Sequence, residues 1–443
     1  MTRSYDEQLR EQIEQYRETE EMHDLPPVFH DWSHDAIRPG LKEVFGTSDI
    51  NEFYVRAFVA AARLNPAPPS FLSLGCGDGA VEIAIAATLV GRGLSVFTFV
   101  CYDLSDILLQ RFRAAIPAGM ETYFKLIAGD LNATSFDMTF DAIMANHSLH
   151  HILNLEEVYK TAYESLAEHG IFVTSDMIGR NGHMRWPETR FFVDFFWPFL
   201  SLSQRRNVLL RREEASFLDH DCSSEGFEGI RAQEVLPLLL KQGFHPAKFF
   251  GFGGMIDVFV DRCFGPNFDV RNPDDMFLTR RVGLLNDVLL DAGVMKPTMM
   301  FAWFTKQAGE ETFYRSRSVS RTLRPVSCEP VWLDAAVAGL ARHPDSADYV
   351  YRSASMSSPE VVIAPSADAG TGQERSIAEL LTALSHAEVD SAAAQLLIIR
   401  QAKRLEALEA ARSQRTIAPL RRITRLFQRS VRRLAAITFF RST

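Results

Sequence analysis

The sequence predicts an α/β protein built on a doubly wound, mostly parallel sheet of seven strands. Short apolar runs alternate with helix-like segments, a glycine-rich turn follows the first run, and acidic or polar residues follow the next ones. Alternation of this kind is typical of right-handed βαβ units. We also expect an inserted helical cap and a helical C-terminal tail.

Seven apolar runs are the candidate strands. They lie at 71–74, 94–102, 122–127, 140–145, 171–175, 248–252 and 299–305. Helix-like segments at 80–90, 105–115 and 155–166 separate the early strands. An aromatic-rich region at about 182–245 interrupts the alternation and predicts the cap, with ordinary core helices as an open alternative.

Four regions are expected along the chain. Residues 1–65 are helical, because 5–22 is rich in helix formers up to Pro26-Pro27 and 50–64 reads as a second helix. Residues 66–306 form the ligand-binding domain. Residues 307–375 lack a sustained pattern and read as a flexible linker, and apolar residues recur at helical spacing within 376–443.

Charge and cysteine content narrow the class of protein. The net charge is −9, yet residues 400–443 hold twelve Arg and Lys against two Glu, a net +10 that leaves −19 elsewhere. The body is therefore not expected to bind nucleic acid.

The five cysteines have no CxxC or Cys/His metal spacing, so no metal site is predicted. The scattered cysteines and the charged N-terminus favour a cytoplasmic location.

The glycine-rich turn is the first candidate binding element. Residues 71–80 read FLSLGCGDGA, which places Gly75, Cys76, Gly77 and Gly79 between a strand and a helix. Such a turn brings bare backbone against a nucleotide-like ligand. The pattern alone also fits a dinucleotide-binding fold.

Two acids end the next strands. Asp103, followed by Leu104, is placed to accept the hydroxyls of a ribose, and Asp130, followed by Leu131, is placed at an adenine ring. A helix N-cap for Asp103 and a turn position for Asp130 are the structural alternatives.

After the fourth strand the chain reads Asn146-His147-Ser148-Leu149-His150-His151. Together with the glycine turn and the two acids, this segment resembles class I S-adenosylmethionine-dependent methyltransferases, best over residues 71–176. The resemblance implies S-adenosyl-L-methionine as cofactor, with the glycine turn under its methionine end and Asn146 beside the methyl group. Ser73 stands where the family carries an acid, and Asp78 and Glu82 are nearby carboxylates able to compensate.

Candidate catalytic and substrate-binding residues follow from this interpretation. His147, His150 and His151 are candidate general bases, each with a buried structural histidine as the alternative. Asp176, Arg185 and Glu188 follow the fifth strand and are predicted to bind the substrate, with a loop salt bridge as the alternative for the last two.

The C-terminal region suggests where the protein works. Residues 415–433 form a basic amphipathic pattern suited to an anionic membrane surface, and 376–410 suggests a coiled coil and an oligomer. The tail also resembles those of bacterial polysaccharide-assembly proteins. We therefore expect O-methylation of a sugar or glycan precursor, peripherally at the inner membrane. A nicotinamide-dependent oxidoreductase and a non-catalytic scaffold are the alternatives.

Overall fold

The structure, a computed structural model, describes residues 25–64, 67–133, 136–225 and 227–324. The predictions for residues 5–22, for most of the linker at 307–375 and for the tail at 376–443 lie outside these described residues.

Helices and strands alternate through the described residues. In chain order they are α1 (Pro27–Phe45), α2 (Ile50–Ala62), β1 (Ser70–Leu74), α3 (Ala80–Gly91), β2 (Thr98–Asp103), α4 (Asp106–Ala115), β3 (Phe124–Ala128), β4 (Phe140–Asn146), α5 (Leu155–Ser165), β5 (Leu166–Met177), α6 (Pro187–Phe196), β6 (Arg206–Asn207), β7 (Arg212–Glu213), α7 (Ala232–Gln242), β8 (His245–Phe252), α8 (Asp257–Val260), α9 (Pro273–Asp291), β9 (Met299–Thr305), β10 (Thr312–Phe313) and α10 (Val319–Thr322). Short 3-10 turns include Leu149–His151, Asn181–His183 and Cys222–Glu225.

The main sheet has the strand order β3-β2-β1-β4-β5-β9-β8-β10. Only β9 runs antiparallel to its neighbours, β5 and β8, among the strands of this sheet. The predicted α/β class with a doubly wound, mostly parallel sheet is therefore confirmed. The sheet has eight strands rather than seven, because the two-residue β10 pairs with β8.

Side chains alternate between the two faces of the sheet, and each face is covered by helices. On one face, Phe71 of β1 stacks on Phe58 of α2, and Phe53 packs against Phe301 of β9. On the other face, Leu72 and Leu74 belong to a core shared with α5 and α7. The carboxyl ends of β1 to β5 consequently meet at one edge, where the candidate site lies.

Helix α1 lies within the region predicted to be helical, but it was not identified as a helix of its own. Pro26-Pro27 was interpreted as the end of a helix, but Pro26 is the N-cap and Pro27 the first residue of α1, and Pro39 lies inside it. The helix approaches the sheet at Gly40, where an added Cβ would lie 2.3 Å from the Phe250 ring.

The two remaining regions differ in part from expectation. The region predicted as a cap contains α6, the hairpin of β6 and β7, and α7. Helix α7 packs in the sheet core with α5, which corresponds to the alternative of ordinary core helices. Residues 307–324 do not behave as a linker, because β10 joins the sheet and Arg317 is buried and paired with Asp287 and Asp291. Every helix of the described part of the chain is too short or too polar to cross a membrane.

Candidate functional site

The glycine turn joins β1 to α3 and has the conformation that its glycines favour. Gly75, Gly77 and Gly79 have φ angles of 74°, 57° and 75°. An added Cβ would lie 2.6 Å from Ser148 Cβ at Gly75 and 2.2 Å from the Phe112 ring at Gly79. The turn therefore requires glycine for its conformation and for its packing.

Asp103 connects the end of β2 to the glycine turn. Its Oδ2 accepts a hydrogen bond from Gly77 N at 2.8 Å, and its Oδ1 accepts one from Ser105 N at 2.8 Å. Burial raises the pKa of this carboxyl, and the backbone hydrogen bonds oppose the shift. Asp103 thus fixes the turn, with half-buried Leu104 beside it, and its contact with a ribose stays a prediction.

Asp130 and Leu131 follow β3, as predicted. Asp130 Oδ1 accepts hydrogen bonds from Asn132 N and Nδ2, both at 2.8 Å, and Leu131 is partly buried against the core. Asn132 Oδ1 in turn accepts from Leu153 N and Asn154 N, at 3.0 and 2.8 Å. The turn after β3 is thereby tied to the segment that follows β4.

The sheet edge between the glycine turn and the cap is lined by polar groups from α2, α3 and β4. Tyr54 of α2 donates to Asn146 Oδ1 at 2.8 Å, and Ser73 donates to Glu82 Oε1 at 2.7 Å. Burial raises the pKa of Glu82 to about 7. The Glu82 carboxyl therefore lies beside Ser73, the position at which class I methyltransferases, which this sequence resembles, carry an acid. Tyr54 was missed, because its helix pattern indicates only core packing.

Asp176 is the anchor of the segment after β4. It is fully buried, and its Oδ2 accepts from Ser148 N at 3.1 Å and Leu149 N at 2.8 Å. Its Oδ1 lies 2.6 Å from His150 Nδ1 and accepts from Met177 N at 2.7 Å. The structure gives Asp176 a positioning role toward His150, and direct contact with a substrate stays a prediction.

The three candidate bases differ in environment. Burial alone lowers the pKa of His150, but the charges of Asp176 and Glu228 raise it to about 10. Burial and the charge of His150 lower the pKa of His151 to about 4. His147 is exposed, with a φ of 50°, and its Nε2 lies 3.4 Å from Ser175 Oγ.

Two cap residues complete what we call the His–Glu cluster, which consists of His150, His151, His183 and Glu228. Glu228 Oε1 lies 2.6 Å from His183 Nε2 and 3.5 Å from His150 Nε2. Burial alone would raise the pKa of Glu228, but the three histidines hold it well below its usual range. Glu228 was missed from the sequence, because it lies far along the chain in a segment without a recognisable motif.

Arg185 and Glu188 have protein partners. Arg185 is buried, its guanidinium donates to the His183 carbonyl, and its backbone N donates to Asp219 Oδ1 at 2.8 Å. Glu188 forms an ion pair with Arg324. Glu188 thus forms a salt bridge, as its structural alternative expected, although with Arg324. The role of Arg185 and Glu188 in substrate binding stays a prediction.

A family model matches part of the chain. Residues 48–213, less than half of the 443-residue chain, match the family model described as "Methyltransferase domain". No curated protein matches the chain.

Three solved structures illustrate the similarity. The O-methyltransferase of a trans-AT PKS multienzyme of Brevibacillus brevis, in complex with S-adenosyl-L-homocysteine, is 15% identical over 63% of this chain and 80% of that chain, with a TM-score of 0.33. An S-adenosylmethionine-dependent methyltransferase from Mesorhizobium loti is 17% identical over 56% and 95%, with a TM-score of 0.29. The StiE O-MT fragment is 9% identical over 67% and 85%, with a TM-score of 0.35.

Proposed function

We propose that the protein is an S-adenosylmethionine-dependent methyltransferase. The observation that carries the proposal is the hydrogen bond from Gly77 N to Asp103 Oδ2 within the segment that matches a methyltransferase domain. It joins the glycine turn to the acid at the neighbouring strand end, which supports the proposal that the two bind one ligand at the sheet edge. Asp130, Leu131 and Asn146 line the same edge at the ends of β3 and β4.

The proposed reaction is an in-line displacement at the sulfonium of the cofactor. The acceptor oxygen forms a bond to the methyl carbon while the bond from carbon to sulfur breaks, and sulfur keeps the electron pair. The acceptor's proton passes to a base, for which His147 and His151 are the proposed candidates. The predicted candidate His150 is set aside, because a pKa of about 10 keeps its imidazole protonated near neutral pH. The protein mainly aligns the two reactants and excludes water.

We further propose a sugar hydroxyl of a glycan precursor as the acceptor. Its support is the pair of polar side chains Arg185 and Glu188 in the segment after β5, together with the basic pattern at 415–433. An acceptor linked to a lipid would bring the protein to the anionic inner face of a membrane. A labelled methyl transfer assay against lipid-linked glycans tests this acceptor, and transfer only to water-soluble small molecules would contradict it.

Calorimetric titration with S-adenosylhomocysteine tests the central proposal. We expect one binding site per chain and at least about tenfold weaker binding in Asp103→Asn, because the ribose loses a charged acceptor. Asp106→Asn is the control, since Asp106 is exposed one turn away on α4. Binding of NAD in place of S-adenosylhomocysteine would favour the oxidoreductase, and binding of neither would favour the scaffold.

The membrane proposal predicts salt-sensitive binding to anionic vesicles. The full chain should sediment with phosphatidylglycerol vesicles and stay in solution with phosphatidylcholine vesicles. Replacing Arg421, Arg422 and Arg425 by Gln should remove most of the binding, at about 1 kcal/mol for each arginine near the surface. Undiminished binding of this triple variant would refute the role of residues 415–433.

A further inference from the structure

We propose that the His–Glu cluster binds one divalent transition-metal ion through His150, His183 and Glu228. Each residue offers one ligand atom, and the three atoms lie within 4.8 Å of one another. Bonds of about 2.0 to 2.2 Å from a metal to nitrogen and oxygen ligands place the ligand atoms of a tetrahedral site about 3.3 to 3.6 Å apart. The 3.5 Å between His150 Nε2 and Glu228 Oε1 lies in that range, whereas the 2.6 Å between His183 Nε2 and Glu228 Oε1 must lengthen. The geometry therefore needs only small side-chain adjustments to bind an ion.

Asp176 orients the ligand that comes from the sheet edge. Its carboxylate lies 2.6 Å from Nδ1 of His150, so Nδ1 carries the hydrogen and Nε2 faces the cluster. Carboxylates commonly hold metal-ligating histidines in this way. His150 Nε2 then faces Glu228 Oε1 at 3.5 Å, and a cation between the two satisfies both.

The two ligands from the cap are held together by their own backbone. Gly182 N donates to Gly229 O at 2.9 Å, which joins the neighbours of His183 and Glu228 in sequence. His183 has a φ of 55°, which is uncommon outside glycine, and an added Cβ on Gly229 would lie 2.9 Å from His183 Cε1. The backbone thus places the His183 ring beside Glu228 in a strained conformation, as is frequent at functional sites.

The donor set indicates the class of ion. Two imidazoles and one carboxylate suit Zn²⁺, Co²⁺, Fe²⁺ or Mn²⁺, and three protein ligands leave a position open for an oxygen ligand. His151 Nδ1 is a fourth nearby donor, since it is buried, has no hydrogen-bond partner among the described residues and lies 3.7 Å from Glu228 Oε2. If the proposed methyl transfer is correct, an acceptor hydroxyl is the oxygen that would occupy the open position. Metal binding itself does not depend on that function.

The test uses the full chain, stripped with a chelator and titrated with Co²⁺ and with Zn²⁺. We expect one ion per chain by elemental analysis and visible Co²⁺ absorption bands of a nitrogen and oxygen site. His183→Asn and Glu228→Gln should each weaken binding at least about tenfold, and Asp176→Asn should weaken it by about 10- to 100-fold. Asparagine is chosen because it tolerates the left-handed backbone of residue 183.

His169→Gln is the control, because His169 is exposed at the other end of β5. Its metal binding should equal that of the original chain. A chain that retains no ion, or retains it equally in the control and in both ligand variants, would overturn the proposal. If one ligand variant does not fold, the other decides. Parallel titration with S-adenosylhomocysteine separates this result from failure of the proposed function.

Discussion

Replacing Asp176 by alanine is expected to remove about 3 to 5 kcal/mol from the free energy of unfolding, because it leaves buried charge uncompensated. Asp176 is fully buried and accepts hydrogen bonds from Ser148 N, Leu149 N and Met177 N in addition to its contact with His150. Alanine satisfies none of these donors. The segment after β4 should therefore lose its attachment to β5, and methyl transfer should fall with it.

Asp176→Asn separates the loss of the negative charge from the loss of the hydrogen-bond acceptors. Its side-chain oxygen still accepts from the backbone, so the chain should fold, but the pKa of His150 should fall from about 10 because the largest charge that raises it is gone. Urea denaturation gives the stability, and histidine NMR titration of the metal-free chain gives the pKa. Asp141→Asn is the control, since Asp141 is also buried but accepts from Ser70 N at the opposite end of the sheet. An unchanged His150 in Asp176→Asn would contradict the positioning role.

The sheet was predictable because its strands are buried on both faces. Parallel strands with two covered faces appear as short continuous apolar runs, and all seven predicted runs correspond to strands. Helix α1 and strand β10 are among the elements that were missed, each for a local reason. The 19-residue helix α1 was missed because Pro26-Pro27 was interpreted as the end of a helix, whereas proline is also common at the first position of one. The two residues of β10 are too few to form a pattern, and only pairing with β8 defines them.

The candidate site was predictable only where it lies on the sheet. Topology places the ends of β1 to β5 at one edge, so Gly77, Asp103 and Asn146 were identified from sequence and lie there. Glu228 belongs to the cap, and only tertiary folding brings it to His150. Asp176 contacts four donors, and these contacts likewise arise only in the folded turn, so no sequence pattern indicates them.

Replacing Glu82 by glutamine is expected to change the free energy of unfolding differently at the two ends of the range from pH 5 to pH 8. At pH 8 the change should be more stabilising than at pH 5 by about 2 to 3 kcal/mol. Glu82 is buried, and burial raises its pKa from 4.5 to about 7 in the folded chain. The folded state therefore binds a proton more tightly than the unfolded state does. Stability is retained below the unfolded value of 4.5 and lost as the pH rises through about 7.

Urea denaturation of the two proteins between pH 5 and pH 8 measures this difference. Glutamine keeps a partner for Ser73 Oγ, which donates to Glu82 Oε1 at 2.7 Å, and it cannot ionise. Glu121→Gln is the control, because Glu121 is exposed and remote from the glycine turn. If Glu82 also compensates for Ser73 at the amino end of the cofactor, Glu82→Gln should bind S-adenosylhomocysteine more weakly while being more stable at pH 8. A variant that is more stable at pH 8 and binds S-adenosylhomocysteine equally well would assign Glu82 to the fold alone. Affinity for the ligand should fall in Glu82→Gln only if the carboxylate of Glu82 contacts that ligand.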